Sequence, residues 1–312
     1  MQFEILSDAA ALEEEWWDLW RRDQAATPFQ SPAWLLPWRR HFPDGESAVL
    51  AWRQGGRLAG LLPLFAHEGR YLPWGAGTSD RLGGLFDPLI EASEIRRAIA
   101  DLPLPLDLFQ LPADSPLLDM PAPREWRDQR GPAESCAVLA LPARPGKKMA
   151  QNLRYYRRRA ERAGADEPQC VDDPDVDGLA ALHTRRWRLA GEPGIFADRR
   201  MLAWLRQALP ALQRRGLLRF YTIAIGSRIV AALCVLAAKR RAYYYIGGFD
   251  PEYASLGLGT ILVGHAIGEA EKESDLSFDF LRGGESYKYR WGALDEPTYA
   301  RRLSPLRWIR AA

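Results

Sequence analysis

The chain has 312 residues, room for about two domains at roughly 150 residues each or for one large one. Apolar residues make up 47% and charged residues 26%, which supports a buried core and excludes wholesale disorder. Forty-two Lys and Arg against 40 Asp and Glu leave +2, which argues against a dedicated nucleic-acid binder.

In chain order, Ser7 is placed to cap a helix running to about Gln24, with Leu12, Trp16, Leu19 and Trp20 along one face. A second helix begins after Ser31-Pro32 and carries Trp34, Leu35 and Trp38. Ser47–Arg53, the Gly55-Gly56 turn and the strands within Arg57–Gly77 read as an antiparallel meander. Leu102–Pro132 is proline-rich and reads as irregular connection with one strand, Leu106–Leu111. Lys147–Ala163 is a helix of unusual charge: Lys147, Lys148, Arg154, Arg157, Arg158, Arg159 and Arg162 stand against Glu161 alone. Amphipathic helices follow at Asp175–Leu189 and Asp198–Arg214. A second meander spans Leu217–Ile225, the Gly226-Ser227 turn and Arg228–Gly248. A helix from about Gly257 to Lys272 and strands at Leu276–Leu281 and near Thr298–Leu303 close the chain.

The two meanders echo one another. At a constant offset Arg57 matches Arg228, Leu62 matches Leu233, Ala66 matches Ala237, Arg70 matches Arg241 and Gly77 matches Gly248. Two distant units of this kind imply two similar lobes, Met1–Leu141 and Pro142–Ala312, each a mostly antiparallel mixed sheet flanked by helices in a mixed α/β arrangement. Cys136, Cys170 and Cys234 are scattered without a Cys-x-x-Cys pair, so neither a disulfide framework nor a zinc cluster is expected. The N-terminus has neither a basic nor an apolar signal segment, and the longest apolar run, Ile229–Ala238, is about half a membrane span. A cytoplasmic protein without a membrane span or a metal site is expected.

Two stretches carry candidate chemistry. In Tyr253–Thr260 (YASLGLGT), glycines let backbone N–H groups converge, and the following helix adds the positive end of its dipole, a combination suited to a pyrophosphate. Gly257 and Gly259 would do this, helped by the Ser255 and Thr260 hydroxyls, or would only permit close packing. In Phe278–Trp291 (FDFLRGGESYKYRW), Phe278 and Phe280 share one strand face and Asp279 takes the other. Gly283-Gly284 then end the strand, and Glu285, Tyr287 and Lys288 follow.

The order meander, Gly-x-Gly turn, helix, strand resembles the acyl-CoA core of the GNAT acyltransferase superfamily. More specifically, the chain resembles the two-lobed bacterial branch that includes cellulose-biosynthesis-associated acetyltransferase-like proteins and, remotely, Fem-type aminoacyl transferases. Pro28–Trp34, Asn152–Arg162, Tyr243–Asp250 (YYYIGGFD) and Phe278–Lys288 carry the resemblance. It implies an acyltransferase that takes acetyl-CoA or another acyl-CoA as co-substrate, with no permanently bound cofactor, and acts on a small-molecule or glycan acceptor held between the lobes. It further implies Glu285 or Asp279 as base, Tyr287 as acid, and Lys288 or Arg282 holding an anionic group. Backbone donors at Tyr245, Gly247 and Gly248 would stabilise the oxyanion. Family members usually have Gln or Arg three residues before the first glycine of the phosphate turn; here Ala254 occupies that place. Asp80 and Asp87, after the first meander, would contact an acceptor or cap a turn, and His183 reads as a structural histidine. The basic helix is a solvated face or a phosphate contact. Fem-type transfer from aminoacyl-tRNA and a catalytically inactive assembly protein of a polysaccharide pathway are the alternatives.

Overall fold

The computed structural model describes residues 1–189 and 191–306. They fall into two units, Met1–Ser135 together with the segment from Pro297 on, and Cys136–Glu296. The first unit is built from β1 (Gln2–Leu6), α1 (Glu13–Arg22), α2 (Pro32–His41), β2 (Ser47–Gln54), β3 (Arg57–His67), β4 (Arg70–Pro73), β5 (Leu85–Phe86), α3 (Ala92–Ala100), β6 (Leu106–Leu111), α4 (Pro116–Asp119) and β7 (Trp126–Pro132). Its sheet runs β1-β2-β3-β4-β6, then the C-terminal strand Tyr299–Pro305, then β7, with β5 paired to β3. Hence the boundary expected between residues 141 and 142 does not describe the division: the last strand of the chain belongs to the first sheet, between β6 and β7.

Local differences have local causes. Gln2–Leu6 adds an edge strand to β2, and Ser7 caps nothing. Asp8 instead accepts the N–H groups of Ala9 and Ala10 at 2.7 and 3.1 Å, and α1 begins only at Glu13. The proline-rich stretch holds a further strand, β7, because its backbone pairs along its whole length with Tyr299–Pro305.

The second unit contains β8 (Cys136–Ala140), α5 (Lys147–Arg162), β9 (Gln169–Val171), α6 (Val176–Leu189), α7 (Arg199–Arg214), β10 (Leu218–Ile225), β11 (Arg228–Ala238), β12 (Arg241–Phe249), α8 (Leu258–Lys272), β13 (Ser277–Arg282), α9 (Ser286–Tyr289) and β14 (Leu294–Glu296). The strand order is β14-β8-β13-β12-β11-β10-β9. Ile261, Leu262 and Ala266 of α8 and Met149 and Ala160 of α5 form one core with Phe278 and Phe280. That core buries the apolar stripe that gives α8 its helical period. On the other face α7 packs Trp204 against Tyr245 of β12, ring centroids 6.5 Å apart. Both sheets are thus mixed and flanked by helices, the expected α/β class.

Among the described residues each unit has one parallel pairing of the same kind. Tyr71 of β4 registers with Leu106 of β6, and Arg241–Tyr243 of β12 register with Ser277–Asp279 of β13. Arg70 pairs with Asp107 at 2.5 Å, and Arg241 lies 4.0 Å from Asp279, so the sequence echo extends to an Arg–Asp pair across each parallel junction. Among the described residues no helix is long and apolar enough to cross a membrane.

Candidate active site

The parallel pairing of β12 with β13 lasts three residues, after which β12 continues to Phe249 with its outer edge unpaired by β13. A bulge lies at the start of the unpaired stretch: Cys234 faces Ile246 and Val235 faces Tyr244, leaving Tyr245 as the extra residue. Beyond it the Asp250 N–H bonds Val230 on β11 at 2.8 Å. Alternation therefore turns the N–H groups of Gly247 and Phe249 to the opposite edge, the one that β13 has left.

Beside this edge lies a pocket of about 350 Å³. β12 contributes Tyr244, Gly247, Gly248 and Phe249, and α5 contributes Met149, Asn152 and Tyr156. The start of α8 supplies Gly257, Leu258, Gly259 and Thr260, with Leu262 and Val263 deeper. Arg186 of α6, together with Tyr287, Arg290 and Trp291 beyond β13, completes much of the wall. The charged side chains in this wall are cations, so the pocket suits an anionic or strongly polar ligand beside an apolar floor.

The expected phosphate corner is only partly open. Gly257 is left-handed at φ 66°, and the ring of Tyr156 sits over it so closely that a Cβ there would lie 2.5 Å from ring carbons. Leu258, Gly259 and Thr260 remain as walls at the positive end of the α8 dipole. Ser255 is exposed and lies outside the pocket wall. Tyr245 turns to α7, away from the wall. Gly248 has a packing reason of its own: a Cβ would meet the His183 backbone nitrogen at 2.5 Å.

Two phenols define the polar end. Tyr287 is hydrogen-bonded to Tyr244, which is also bonded to Arg186. Burial raises the Tyr287 phenol well above its ordinary range, and the nearby Tyr244 and the Glu285 carboxylate push the same way, so it stays protonated. Burial likewise raises Tyr244, against the opposing pull of Arg186 and the Tyr287 hydrogen bond. Arg186 is held in place over the Phe249 ring, 5.5 Å from its centroid.

The charged candidates separate. Asp279 is fully buried on the face opposite Phe278 and Phe280, where its Oδ1 accepts the Leu281 N–H at 2.8 Å. That bond holds a strand end in which Leu281 itself is left-handed at φ 62°. Glu285 is exposed, two residues before Tyr287 and outside the pocket wall, 2.9 Å from Lys288 Nζ. Lys288 is buried, and its ammonium group donates to the carbonyls of Leu281, Arg282 and Gly283, so it ties down the strand end rather than facing the pocket. Arg282 lies at the end of β13, outside the pocket wall, and Asp80 belongs to the first unit. Asp87 accepts the Leu89 N–H at 3.1 Å and pairs with Arg22, which makes it a turn residue.

His183 is buried with its Nδ1 unpartnered, and burial together with Arg186 lowers its imidazole to about 4. Arg186, Asn152 and Tyr244 were not among the expected site residues. The only sequence signal for Arg186 is the helical spacing from Leu179 and Leu182, buried members of the same helix.

Residues 147–289 match the family model described as an acetyltransferase (GNAT) domain, a span that contains the whole pocket wall except Arg290 and Trp291. Several solved structures are similar over nearly the whole chain. A conserved protein of unknown function from Bacteroides thetaiotaomicron has 13% identity and a TM-score of 0.67, covering 97% of this chain and 100% of that one. FemX has 10% identity and 0.64, covering 96% and 97%. L-PGS from Bacillus licheniformis has 11% identity and 0.62, covering 95% and 93%. At these identities the likeness is one of fold. None of the curated proteins compared with the chain matches it. The family match thus lies within the second unit, and the family it points to is one of acetyltransferases.

Proposed function

We propose that the chain transfers an acyl group, acetyl in the simplest case, from acyl-CoA to an amine or hydroxyl of a sugar, polysaccharide precursor or similar small acceptor. The observation that carries this reading is the pocket beside the diverged edge of β12, bounded by the first turn of α8 and by a protonated Tyr287. The thioester carbonyl lies along the edge of β12, where the Gly247 N–H stabilises the developing oxyanion. Glu285, exposed two residues before Tyr287, takes the proton of the attacking nitrogen or oxygen. The new bond to the carbonyl carbon forms, the C–S bond breaks, and Tyr287 gives its proton to the leaving thiolate. The Gly259 N–H and the Thr260 hydroxyl meet the donor's diphosphate.

A second reading is aminoacyl transfer of the Fem type, favoured by whole-chain likeness to FemX. Donor binding separates the two. Acetyl-CoA at a hundred times its dissociation constant stabilises a binder by about 2.7 kcal/mol, several degrees in a thermal-shift titration. A shift with acetyl-CoA or a longer acyl-CoA supports the acyl-CoA reading. No shift at millimolar concentration, with transfer supported by aminoacyl-tRNA, replaces it with the second. No shift and no transfer from either donor leaves a binding or assembly role.

A further inference from the structure

We propose that Tyr155 and Arg159, on the flank of α5 that borders the pocket, hold the phosphorylated nucleotide end of the donor. This rests on the acyl-CoA reading and identifies side chains that take up the role vacated at Ala254. The argument starts from helix geometry. Met149, Asn152 and Tyr156 wall the pocket, whereas Leu153 points to α8, where a Cβ on Gly264 would meet its methyl carbons at 2.9 and 3.0 Å. Asn152 therefore marks the pocket flank of α5 and Leu153 the core flank. At 3.6 residues per turn, Arg159, Lys148 and Tyr155 lie within about 60° of Asn152 on its solvent side. Arg157 lies about 140° from Asn152, past Leu153 on the opposite flank.

Position along the axis narrows the choice. Tyr156 rests on Gly257 at the start of α8, so Tyr155 and Arg159 stand within a turn of the positive end of that helix. Lys148 is two turns away, toward the other end of α5. The pair is also organised in advance: Arg159 Nη1 donates to the Tyr155 phenol oxygen at 3.0 Å, and the Tyr155 ring lies 5.5 Å from that of Tyr156 at 62°. Arg159 has no carboxylate partner among the described residues, and Tyr155 is 51% exposed. An unpaired guanidinium fork suits a phosphate, and an exposed, braced phenol ring beside it suits a purine face. The 3′-phosphorylated adenosine diphosphate of CoA carries both groups.

The test compares dissociation constants of acetyl-CoA, S-acetylpantetheine and adenosine 3′,5′-bisphosphate for the wild type and for Arg159→Gln, Tyr155→Leu and Arg157→Gln. All three substituted side chains are exposed, so the variants fold. Arg159→Gln is expected to weaken acetyl-CoA and the bisphosphate roughly ten- to a hundredfold. Tyr155→Leu is expected to weaken both about tenfold. Neither changes S-acetylpantetheine, which lacks the nucleotide, and Arg157→Gln stays within about twofold of wild type throughout. Arg159→Gln that binds acetyl-CoA like wild type, or that loses S-acetylpantetheine to the same degree, overturns the assignment alone. A wild type that binds no acyl-CoA overturns it together with the reading beneath it.

Discussion

Asp279 and Glu285 stand six residues apart, and the strand end between them sends them into different environments. Asp279 has no exposed surface and spends an oxygen on the left-handed turn at Leu281, with Arg241 nearby. Glu285 has 57% of its side chain exposed and an ion pair with Lys288, whose remaining donors hold backbone carbonyls. Gly283, at φ 102°, makes room for that carboxylate, since a Cβ there would lie 2.4 Å from Glu285 Oε2. The environments predict opposite phenotypes. Glu285→Gln should lower kcat roughly a hundredfold or more while leaving stability within about 1 kcal/mol, because an exposed pair contributes little. Asp279→Asn should lower unfolding stability by roughly 1–3 kcal/mol and spare turnover per folded molecule. Steady-state kinetics and urea unfolding on both variants check this; unchanged turnover in Glu285→Gln would remove the base assignment.

At the level of elements, the glycine pair of β12 serves two neighbours at once. Gly247 leaves the pocket edge open, whereas Gly248 lets the backbone of α6 approach at Leu182–His183. That close approach brings Arg186, one turn on, to the pocket wall beside Tyr244. It also buries the His183 ring between Trp187 and Phe196, where protonation is disfavoured. A side chain at 248 has to push helix backbone rather than a flexible tip. Gly248→Ala is therefore expected to cost about 1–3 kcal/mol, read as a lower urea midpoint. It should also weaken donor binding by displacing Arg186. An unchanged midpoint would show that α6 yields freely and that the glycine is there for the ligand alone.

In the molecule as a whole, the chain leaves its first unit at Ser135 and returns at Pro297. The last strand, Tyr299–Pro305, is hydrogen-bonded on both edges, to β6 and to β7. It also brings Arg301, fully buried, onto Asp128 at 2.9 and 2.8 Å and onto the Leu117 carbonyl at 2.6 Å. Burial alone would raise the Asp128 carboxyl; the bonds from Arg301 and Arg130 outweigh it and hold the group below the usual carboxylate range. A chain shortened to end at Glu296 loses all of this from the first unit and nothing from the second sheet. Limited trypsin digestion should then degrade residues 1–135 while 136–296 persist. Equal protection of both parts would contradict the division.

The periodic elements were legible in the residues themselves. Both meanders, the basic helix, the amphipathic helices of the second unit and the glycine turn before α8 lie where spacing and turn chemistry place them. Those signals are local: a helix stripe or a Gly-containing hairpin turn is decided within a few residues. Pairing between distant segments was not legible. No local pattern says that Tyr299–Pro305 belongs between β6 and β7, that Lys288 turns onto strand-end carbonyls, or that Arg186 and Tyr244 meet at one pocket. Period and turn chemistry thus determined the class of fold, and the resemblance carried by particular motifs pointed to the chemistry worth looking for. Tertiary structure alone decided which carboxylate is buried and which faces solvent, because that depends on where one strand stops pairing with its neighbour.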